Sequence, residues 1–110
     1  MPVKTLVMWT LEQGRAEIQR VQLSSREFGY HVCLGGGVLN AGESSKDLDV
    51  YFLPLDDKLN SPQPDRLLAW LETMWGLYTP LNDPRYDQSA HYRHKLRFDI
   101  PKRIDVFVVY

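Results

Sequence analysis

The composition of this chain of 110 residues restricts the classes of protein to which it can belong. Its 13 lysines and arginines are balanced by 14 aspartates and glutamates, and 44% of the residues are hydrophobic. A chain of this length buries about two-thirds of the surface that it would expose when unfolded, so we expect one domain over residues 1–110. The net charge of -1 lacks the basic excess with which duplex-binding domains neutralise phosphates. Duplex DNA is therefore not an expected partner.

Cysteine content and hydropathy bear on the location of the protein. Cys33 is the single cysteine and cannot form an internal disulfide, a pattern that is typical of a reducing compartment. The longest apolar stretches, such as residues 104–110, are far shorter than the roughly 20 residues of a membrane helix. The N-terminus also lacks the apolar core of a signal peptide. We predict a cytoplasmic protein without a membrane partner.

Residues 3–28 contain few turn residues and predict a helix. Its apolar positions recur on one helical stripe at Leu11, Ile18, Val21 and Phe28. The start is open, because Thr10 and Gln13 can form a capping box that would leave the preceding residues as a separate strand. Pro2 favours an earlier start instead. Gly29 is suited to end the helix.

The following segments predict two strands on either side of a glycine turn. Residues 30–34 are rich in β-prone side chains and lead into the three glycines at 35–37. A second strand begins near Asp47 and runs to Leu53, where Pro54 ends it. One predicted strand thus leads into the glycine turn, and the second strand follows it.

A polar loop at residues 56–61 separates this strand from a second helix. Pro64 and Asp65 suit its first turn, where a missing N–H group is tolerated and a negative charge is favoured. The apolar positions of this helix, which would cover one face of the sheet, are Leu67, Leu68, Leu71 and Trp75.

The C-terminal third predicts a hairpin. A polar loop over residues 79–92 is followed by β-rich runs at 95–100 and 103–110, joined at Pro101 and Lys102. The element order is α-β-β-α-β-β, which predicts an α+β fold with a small mixed sheet and helices packed on one face. If the last strand lies at the sheet edge, it would favour pairing with a second subunit, so a homodimer is a further expectation.

Two carboxylates share one face of the second predicted strand. Leu48, Val50 and Phe52 alternate toward the core, so Asp47 and Asp49 point together to the other face. Carboxylates at this separation repel each other unless a cation lies between them. Oxygen ligands of this kind suit Mg²⁺ bound together with substrate phosphates. Because Asp-x-Asp pairs are common by chance in a chain rich in aspartate, the surrounding sequence has to support the site.

That surrounding sequence is a strand that enters a glycine run and is followed, after residues 38–46, by Asp-apolar-Asp. Glycines allow a phosphate to approach backbone N–H groups closely. In Gly36-Gly37 and Asp47-Leu48-Asp49-Val50 the sequence resembles the nucleotidyltransferase superfamily. This family includes DNA polymerase beta, the aminoglycoside nucleotidyltransferases and the small minimal nucleotidyltransferases. Its pattern is an apolar residue, Gly, then Gly or Ser, a gap, and Asp-apolar-Asp or Asp-apolar-Glu.

The resemblance implies a transferase that moves a nucleoside monophosphate from a nucleoside triphosphate, with ATP as the expected donor. The acceptor would be a protein, an RNA end or a small molecule. The resemblance also implies that Asp47 and Asp49 hold two magnesium ions. Asp105 matches the third carboxylate of the family on a later strand, where it would ligate the ion that activates the acceptor hydroxyl or act as general base. Asp99 is the less suitable substitute.

Two departures from the family pattern concern substrate binding. Many members carry a serine that contacts the nucleotide phosphates, whereas this chain has Gly37. The contact would then fall to the backbone amides of Gly36 and Gly37, or to Ser44, Ser45 or Lys46. Larger members append a domain that holds the acceptor, and we expect loops or a partner protein to bind the acceptor here.

A second hypothesis keeps the fold without the catalysis. The protein would then be an inactive binding or regulatory module, for example of a toxin–antitoxin or phage–host system. Gly37 and the small size favour this hypothesis, whereas the three carboxylates favour the enzyme, because clustered carboxylates without a function only cost stability.

Six cations of the C-terminal third predict a solvated hairpin face or a surface that attracts a triphosphate or an RNA end: Arg85, Arg93, Lys95, Arg97, Lys102 and Arg103.

Overall fold

The computed structural model describes residues 7–55, 61–81, 92–99 and 102–109, in which helices and strands form an α+β fold. The helices are α1 (Leu11–Glu27), α2 (Gly36–Ala41) and α3 (Pro64–Trp75). The strands are β1 (Trp9–Thr10), β2 (Tyr30–Gly35), β3 (Glu43–Ser44), β4 (Leu48–Pro54), β5 (Tyr78–Pro80), β6 (Tyr92–Phe98) and β7 (Ile104–Val109). The predicted fold class is confirmed.

Most of the strands belong to one mixed sheet in the order β2-β4-β7-β6-β5. β4 pairs antiparallel with β2 and parallel with β7, and β6 pairs antiparallel with both β7 and β5. β1 and β3 form a separate antiparallel ladder. Because β4 and β7 run in the same direction, residues at their N-terminal ends lie side by side.

One face of the sheet is apolar and packs against α1 and α3. Side chains alternate along each strand, and those on this face are Leu48, Val50, Phe52, Leu96, Phe98, Ile104, Val106 and Val108. A Cβ added to Gly14 of α1 would lie 2.8 Å from Leu48 Cδ1. The Trp75 ring of α3 meets Phe98 edge to face, with centroids 5.5 Å apart. The expected packing of helices on one face is confirmed.

Helix α1 begins at the later of the two predicted starts. Thr10 Oγ1 accepts a hydrogen bond from Gln13 N at 3.2 Å, and Gln13 Oε1 accepts one from Thr10 N at 3.1 Å. These bonds form the predicted capping box. The helix ends at Glu27, and Gly29 follows with a φ of 86°, as expected for a glycine that terminates a helix. Residues 1–6 lie outside the described residues.

Helix α3 begins at Pro64, as predicted, and buries the predicted stripe of Leu67, Leu68, Leu71 and Trp75. Trp75 Nε1 donates a hydrogen bond to Glu17 Oε2 at 3.0 Å, which ties α3 to α1. None of the helices in the described part of the chain is long and apolar enough to cross a membrane.

The predicted glycine turn is wrong beyond Gly35. Gly36–Ala41 form the short helix α2, which packs Val38 into the core. Glycine has a low helix propensity, and a helix of this length is too short to produce a periodic hydrophobic pattern. Neither of the two signals that predict a helix is therefore present in this segment.

The last strand does not lie at a sheet edge, which was the condition for the expected pairing with a second subunit. β7 lies between β4 and β6, and its residues from Ile104 to Val108 are all buried. A strand buried on both faces has a nearly continuous apolar sequence, which is typical of the interior of a sheet. An exposed edge of β7 therefore no longer supports a homodimer, and the homodimer stays a prediction.

The polar loop predicted over residues 79–92 is shorter than expected. Thr79 and Pro80 belong to β5, and β6 begins at Tyr92 rather than at Lys95. The central part of that loop, residues 82–91, lies outside the described residues. The same holds for residues 56–60 of the earlier loop and for the hairpin tip at 100–101.

Candidate functional site

A row of residues crosses the sheet at the N-terminal ends of β4 and β7. The strand register pairs Gly35 with Asp49, Asp49 with Asp105, and Asp105 with Arg97. Because neighbouring residues such as Leu48 and Ile104 point into the core, Asp49 and Asp105 point to the face opposite the helices. The sheet itself thus brings these carboxylates together.

Asp47 completes an acidic cluster, which we define as Asp47, Asp49 and Asp105. One carboxylate oxygen from each of them lies within 4.8 Å of the others. Asp105 is buried, with an exposed fraction of 5%, and the other two are half-buried. The predicted grouping of these three residues is confirmed. Asp99 lies apart from the cluster, with its side chain 67% exposed and 3.7 Å from Arg103 Nε.

The loop before β4 is held in place by Ser44. Its Oγ accepts hydrogen bonds from the backbone N–H groups of Lys46 at 3.2 Å and Asp47 at 3.3 Å. Leu48 N then donates to the carbonyl oxygen of Arg103 at 3.1 Å, which joins the start of β4 to the residue before β7. These bonds position Asp47 beside the two carboxylates of the sheet.

Gly36 allows α2 to approach the acidic cluster closely. Its φ is 61°, in the left-handed region, and a Cβ at this position would lie 1.8 Å from Asp49 Oδ2. The carboxylate of Asp49 therefore occupies the space of a side chain that Gly36 lacks. A Cβ at Gly37 would instead make ordinary contacts of 3.7 Å with Glu43 and Ser44.

The other residues that were predicted to contact phosphate follow Gly36 on the segment between β2 and β4. Gly37, Ser45 and Lys46 are exposed, and Ser44 is half-buried. The Ser44 hydroxyl oxygen has a structural use in the loop, which the sequence did not indicate, but its hydroxyl hydrogen can still be donated to a ligand. The predicted contacts thus lie on the segment that connects β2 to β4, next to the acidic cluster.

Arg97 is a site residue whose role the sequence did not indicate. Its Nε donates to Asp105 Oδ1 at 2.8 Å and its Nη2 donates to Asp105 Oδ2 at 3.1 Å, so the pair is bidentate. This hydrogen bond raises the pKa of Arg97 above its ordinary value. In the sequence Arg97 is only one of six cations in the C-terminal third, of which Arg85 lies outside the described residues.

The hairpin cations do not form one solvated face. Lys102 donates from Nζ to the carbonyl oxygen of Met8 and to Gln13 Oε1, the latter at 3.1 Å. Its ammonium also lies 4.3 Å from the centroid of the Trp9 ring. Lys102 therefore joins the hairpin to the N-terminal segment, while Arg97 faces the acidic cluster.

The surroundings of the acidic cluster favour the protonated form of two of its carboxylates. Burial raises the pKa of Asp49 to about 6, with further contributions from the negative charges of Asp47 and Asp105. Burial also raises the pKa of Asp47, and so does its hydrogen bond with Asp105. Lys95 and Arg97 lower the pKa of Asp49 without offsetting this rise. Protons thus supply part of the countercharge that a divalent cation could provide.

The donor set fits a divalent metal ion. Three carboxylates offer the hard oxygen ligands that Mg²⁺ and Mn²⁺ prefer. The guanidinium of Arg97, bound to both oxygens of Asp105, shows that the cluster already attracts a cation. The residues present could therefore hold a metal ion close to the start of α2.

The candidate site combines three features. Its parts are the acidic cluster, the close approach of Gly36 and the ion pair between Arg97 and Asp105. No protein-family model and no curated protein matches the sequence.

Proposed function

We propose that the protein is a metal-dependent nucleotidyltransferase. It would transfer a nucleoside monophosphate from a nucleoside triphosphate, with ATP as the expected donor, to an acceptor hydroxyl. The observation that carries this proposal is the acidic cluster, whose three carboxylates converge within 4.8 Å directly beside Gly36. The resemblance to the nucleotidyltransferase superfamily supports it, because the same residues form the family pattern.

In this proposal Asp47 and Asp49 hold magnesium together with the triphosphate, and Asp105 serves the acceptor side. Magnesium would neutralise charge on the attacking and leaving oxygens during in-line displacement. The acceptor oxygen forms a bond to the α-phosphorus, the bond to the bridging oxygen breaks, and pyrophosphate leaves. Asp105 would ligate the ion beside the acceptor hydroxyl, or it would accept the hydroxyl proton as general base.

The β2–β4 connection would bind the phosphates of the donor. The backbone N–H groups of Gly36 and Gly37 would donate to these phosphates, because residues without side chains allow a phosphate to approach the backbone closely. Ser44 can donate its hydroxyl hydrogen, and the exposed Ser45 and Lys46 lie on the same connection. The acceptor, a protein, an RNA end or a small molecule, would be held by loops or by a partner protein.

Thermal unfolding tests this proposal on the protein itself. The wild type would be measured with each of the four common ribonucleoside triphosphates, with and without Mg²⁺. We expect the melting temperature to rise by several degrees for one nucleotide and only with Mg²⁺, because a ligand that binds the folded state stabilises it. Asp47→Asn/Asp49→Asn should lose the shift, and Asp99→Asn, in the exposed position outside the cluster, should keep it. No shift under any condition would contradict the proposal.

A second candidate function is a binding module that keeps the fold without catalysis. Gly37, in place of the serine of many family members, and the ion pair of Arg97 with Asp105 favour it. The two functions differ in turnover. The enzyme should release pyrophosphate from the stabilising triphosphate when an acceptor is supplied, whereas the module should bind a protein partner without any release.

A further inference from the structure

We propose that Arg97 makes cation binding at the acidic cluster depend on a polyphosphate ligand. A divalent cation alone binds weakly, and a cation that is already bound to a polyphosphate binds tightly. This inference rests on the proposed function and adds to it the form in which the cation enters the site.

The first argument is the position of Arg97. It lies directly opposite Asp105 in the antiparallel pair of β6 and β7, so the sheet fixes its backbone. Its guanidinium holds both oxygens of Asp105, at 2.8 Å and 3.1 Å. The Asp105 side chain is 8% exposed and that of Arg97 is 31% exposed, so solvent screens this charge only in part.

The second argument is the repulsion between this charge and an incoming cation. A magnesium ion lies about 2.1 Å from the carboxylate oxygens that bind it. A cation bound to Asp105 would therefore stand within a few ångströms of the guanidinium, and like charges at that distance repel each other strongly in a partly buried site. Arg97 thus weakens the affinity of the acidic cluster for a bare divalent cation.

The third argument is what a polyphosphate changes. Its negative charges offset both the cation and Arg97, so the repulsion no longer opposes binding. Arginine carries five N–H donors, and Asp105 takes the Nε donor and one on Nη2. In the described part of the chain the remaining donors are available, so Arg97 can hydrogen-bond a phosphate oxygen without releasing Asp105.

Isothermal titration calorimetry tests this inference in the wild type. The protein would be titrated with MnCl₂ alone and with a preformed equimolar complex of Mn²⁺ and inorganic tripolyphosphate. Tripolyphosphate has no base or ribose, so it isolates the effect of the phosphates. We expect the complex to bind at least about tenfold more tightly than Mn²⁺ alone. Equal affinities would overturn the inference without the need for any variant.

Substitutions of Arg97 assign the effect to its charge. In Arg97→Gln we expect Mn²⁺ alone to bind about tenfold more tightly than in the wild type, so that the advantage of the complex over the bare cation narrows by about that factor. Arg97→Lys keeps the charge and should keep most of the advantage. Arg66→Gln removes a cation from α3, on the other side of the sheet, and should change neither affinity.

The outcomes separate this inference from the proposed function. If the wild type binds the complex, Asp49→Asn does not, and Arg97→Gln binds Mn²⁺ alone no more tightly than the wild type, then the metal site stands and the inference is wrong. If Arg97 only stabilises the fold, Arg97→Gln would melt at a lower temperature with an unchanged affinity ratio, which also overturns it. If neither the wild type nor Arg97→Gln binds Mn²⁺ in either form, the metal site fails and the inference fails with it.

Discussion

Two buried carboxylates in this protein are each paired with an arginine, and only one of them belongs to the candidate site. Glu17 on α1 accepts hydrogen bonds from Arg20 Nη1 at 2.8 Å and 3.0 Å and from Trp75 Nε1 at 3.0 Å. Asp105 on β7 accepts two hydrogen bonds from Arg97 on the neighbouring strand β6. Their exposed fractions are similar, 9% for Glu17 and 5% for Asp105.

The difference lies in the surroundings of each pair. Glu17 has an arginine and an indole N–H as partners, so its charge and its hydrogen-bonding capacity are both met inside the fold. Asp105 shares its arginine with two further carboxylates, and burial and mutual repulsion raise their pKa values despite the nearby charges of Lys95, Arg97 and Arg103. A buried acid with matched partners stabilises the fold, whereas an acid in an unmatched group is a candidate for binding a cation.

The largest expected effect comes from a substitution in the acidic cluster. Asp49→Asn removes a charge and a ligand oxygen from the acidic cluster, so we expect nucleotidyl transfer to fall by more than about 100-fold. The measurement is the initial rate of pyrophosphate release with saturating Mg²⁺ and nucleotide. Asp99→Asn is the matched control, because Asp99 is exposed outside the cluster. A rate near that of the wild type in Asp49→Asn would remove the distinction between the two carboxylate environments.

Gly36 leaves the space that Asp49 of the acidic cluster occupies, and Gly37 provides the control. In Gly36→Ala the new Cβ would collide with Asp49 Oδ2, and the alanine backbone would have to keep a φ of 61°. We expect the free energy of unfolding to fall by about 3 kcal/mol and the Mg²⁺-dependent stabilisation to disappear. Gly37→Ser has room for its Cβ and should stay within about 0.5 kcal/mol of the wild type. Chemical denaturation measures both variants, and equal stability of the two would contradict the close approach.

The matched pair is tested by Glu17→Ala. Trp75 Nε1 would lose its acceptor in a buried position, and we expect a loss of about 2 kcal/mol in the free energy of unfolding. Glu72→Ala makes the same change at an exposed position on α3 and should have little effect. The rise in melting temperature with Mg²⁺ and nucleotide should remain in the folded Glu17→Ala protein. Its disappearance would assign Glu17 to the site.

The smallest expected effect is the pH dependence of stability without metal. Burial and neighbouring charges raise the pKa of Asp49 to about 6 in the folded protein, from 3.8 for the isolated group. Between these values the folded protein binds more protons than the unfolded chain, so the free energy of unfolding falls as the pH rises through this window. We expect a loss of about 1 to 2 kcal/mol between pH values of about 4.5 and 7, after allowance for solvent screening.

Urea denaturation in EDTA across this pH range measures the effect. Asp49→Asn should lack this component, and at the upper pH it should be more stable than the wild type. Glu72→Ala, which leaves the acidic cluster intact, should keep the wild-type dependence. A wild type whose stability is flat over this range would mean that the cluster carries no unmatched charge.

The sequence predicts those parts of the site that follow from local periodicity. Alternation of Leu48, Val50 and Phe52 places Asp49 on the face opposite the core, and the capping box of Thr10 and Gln13 fixes the start of α1. Asp105 could be grouped with Asp49 only through the family resemblance. Its contact depends on the parallel pairing of β4 with β7, which no local pattern specifies.

Arg97 could have been placed from a signal that is present in the sequence. Leu96 and Phe98 must face the same core as Ile104 and Val106, so Arg97 has to lie on the face of Asp105. The α2 helix and the short strand β3 had no such signal, and for β1 the capping box indicated a preceding strand but not its partner β3. These two strands are paired through bonds such as Met8 N to the Ser44 carbonyl oxygen, which join segments distant in sequence.

The position of β7 affects when the site comes into existence during folding. β7 follows every other described element in the chain, yet it fills the middle of the sheet. Without β7, β4 would have only β2 as a partner and β6 only β5, so the sheet would be two separate antiparallel pairs and the acidic cluster would lack Asp105. Insertion of β7 between them requires long-range contacts and is expected to be slow. Completion of the sheet and assembly of the acidic cluster are thus one event, so the cluster is not available as a binding site in a chain that has not finished folding.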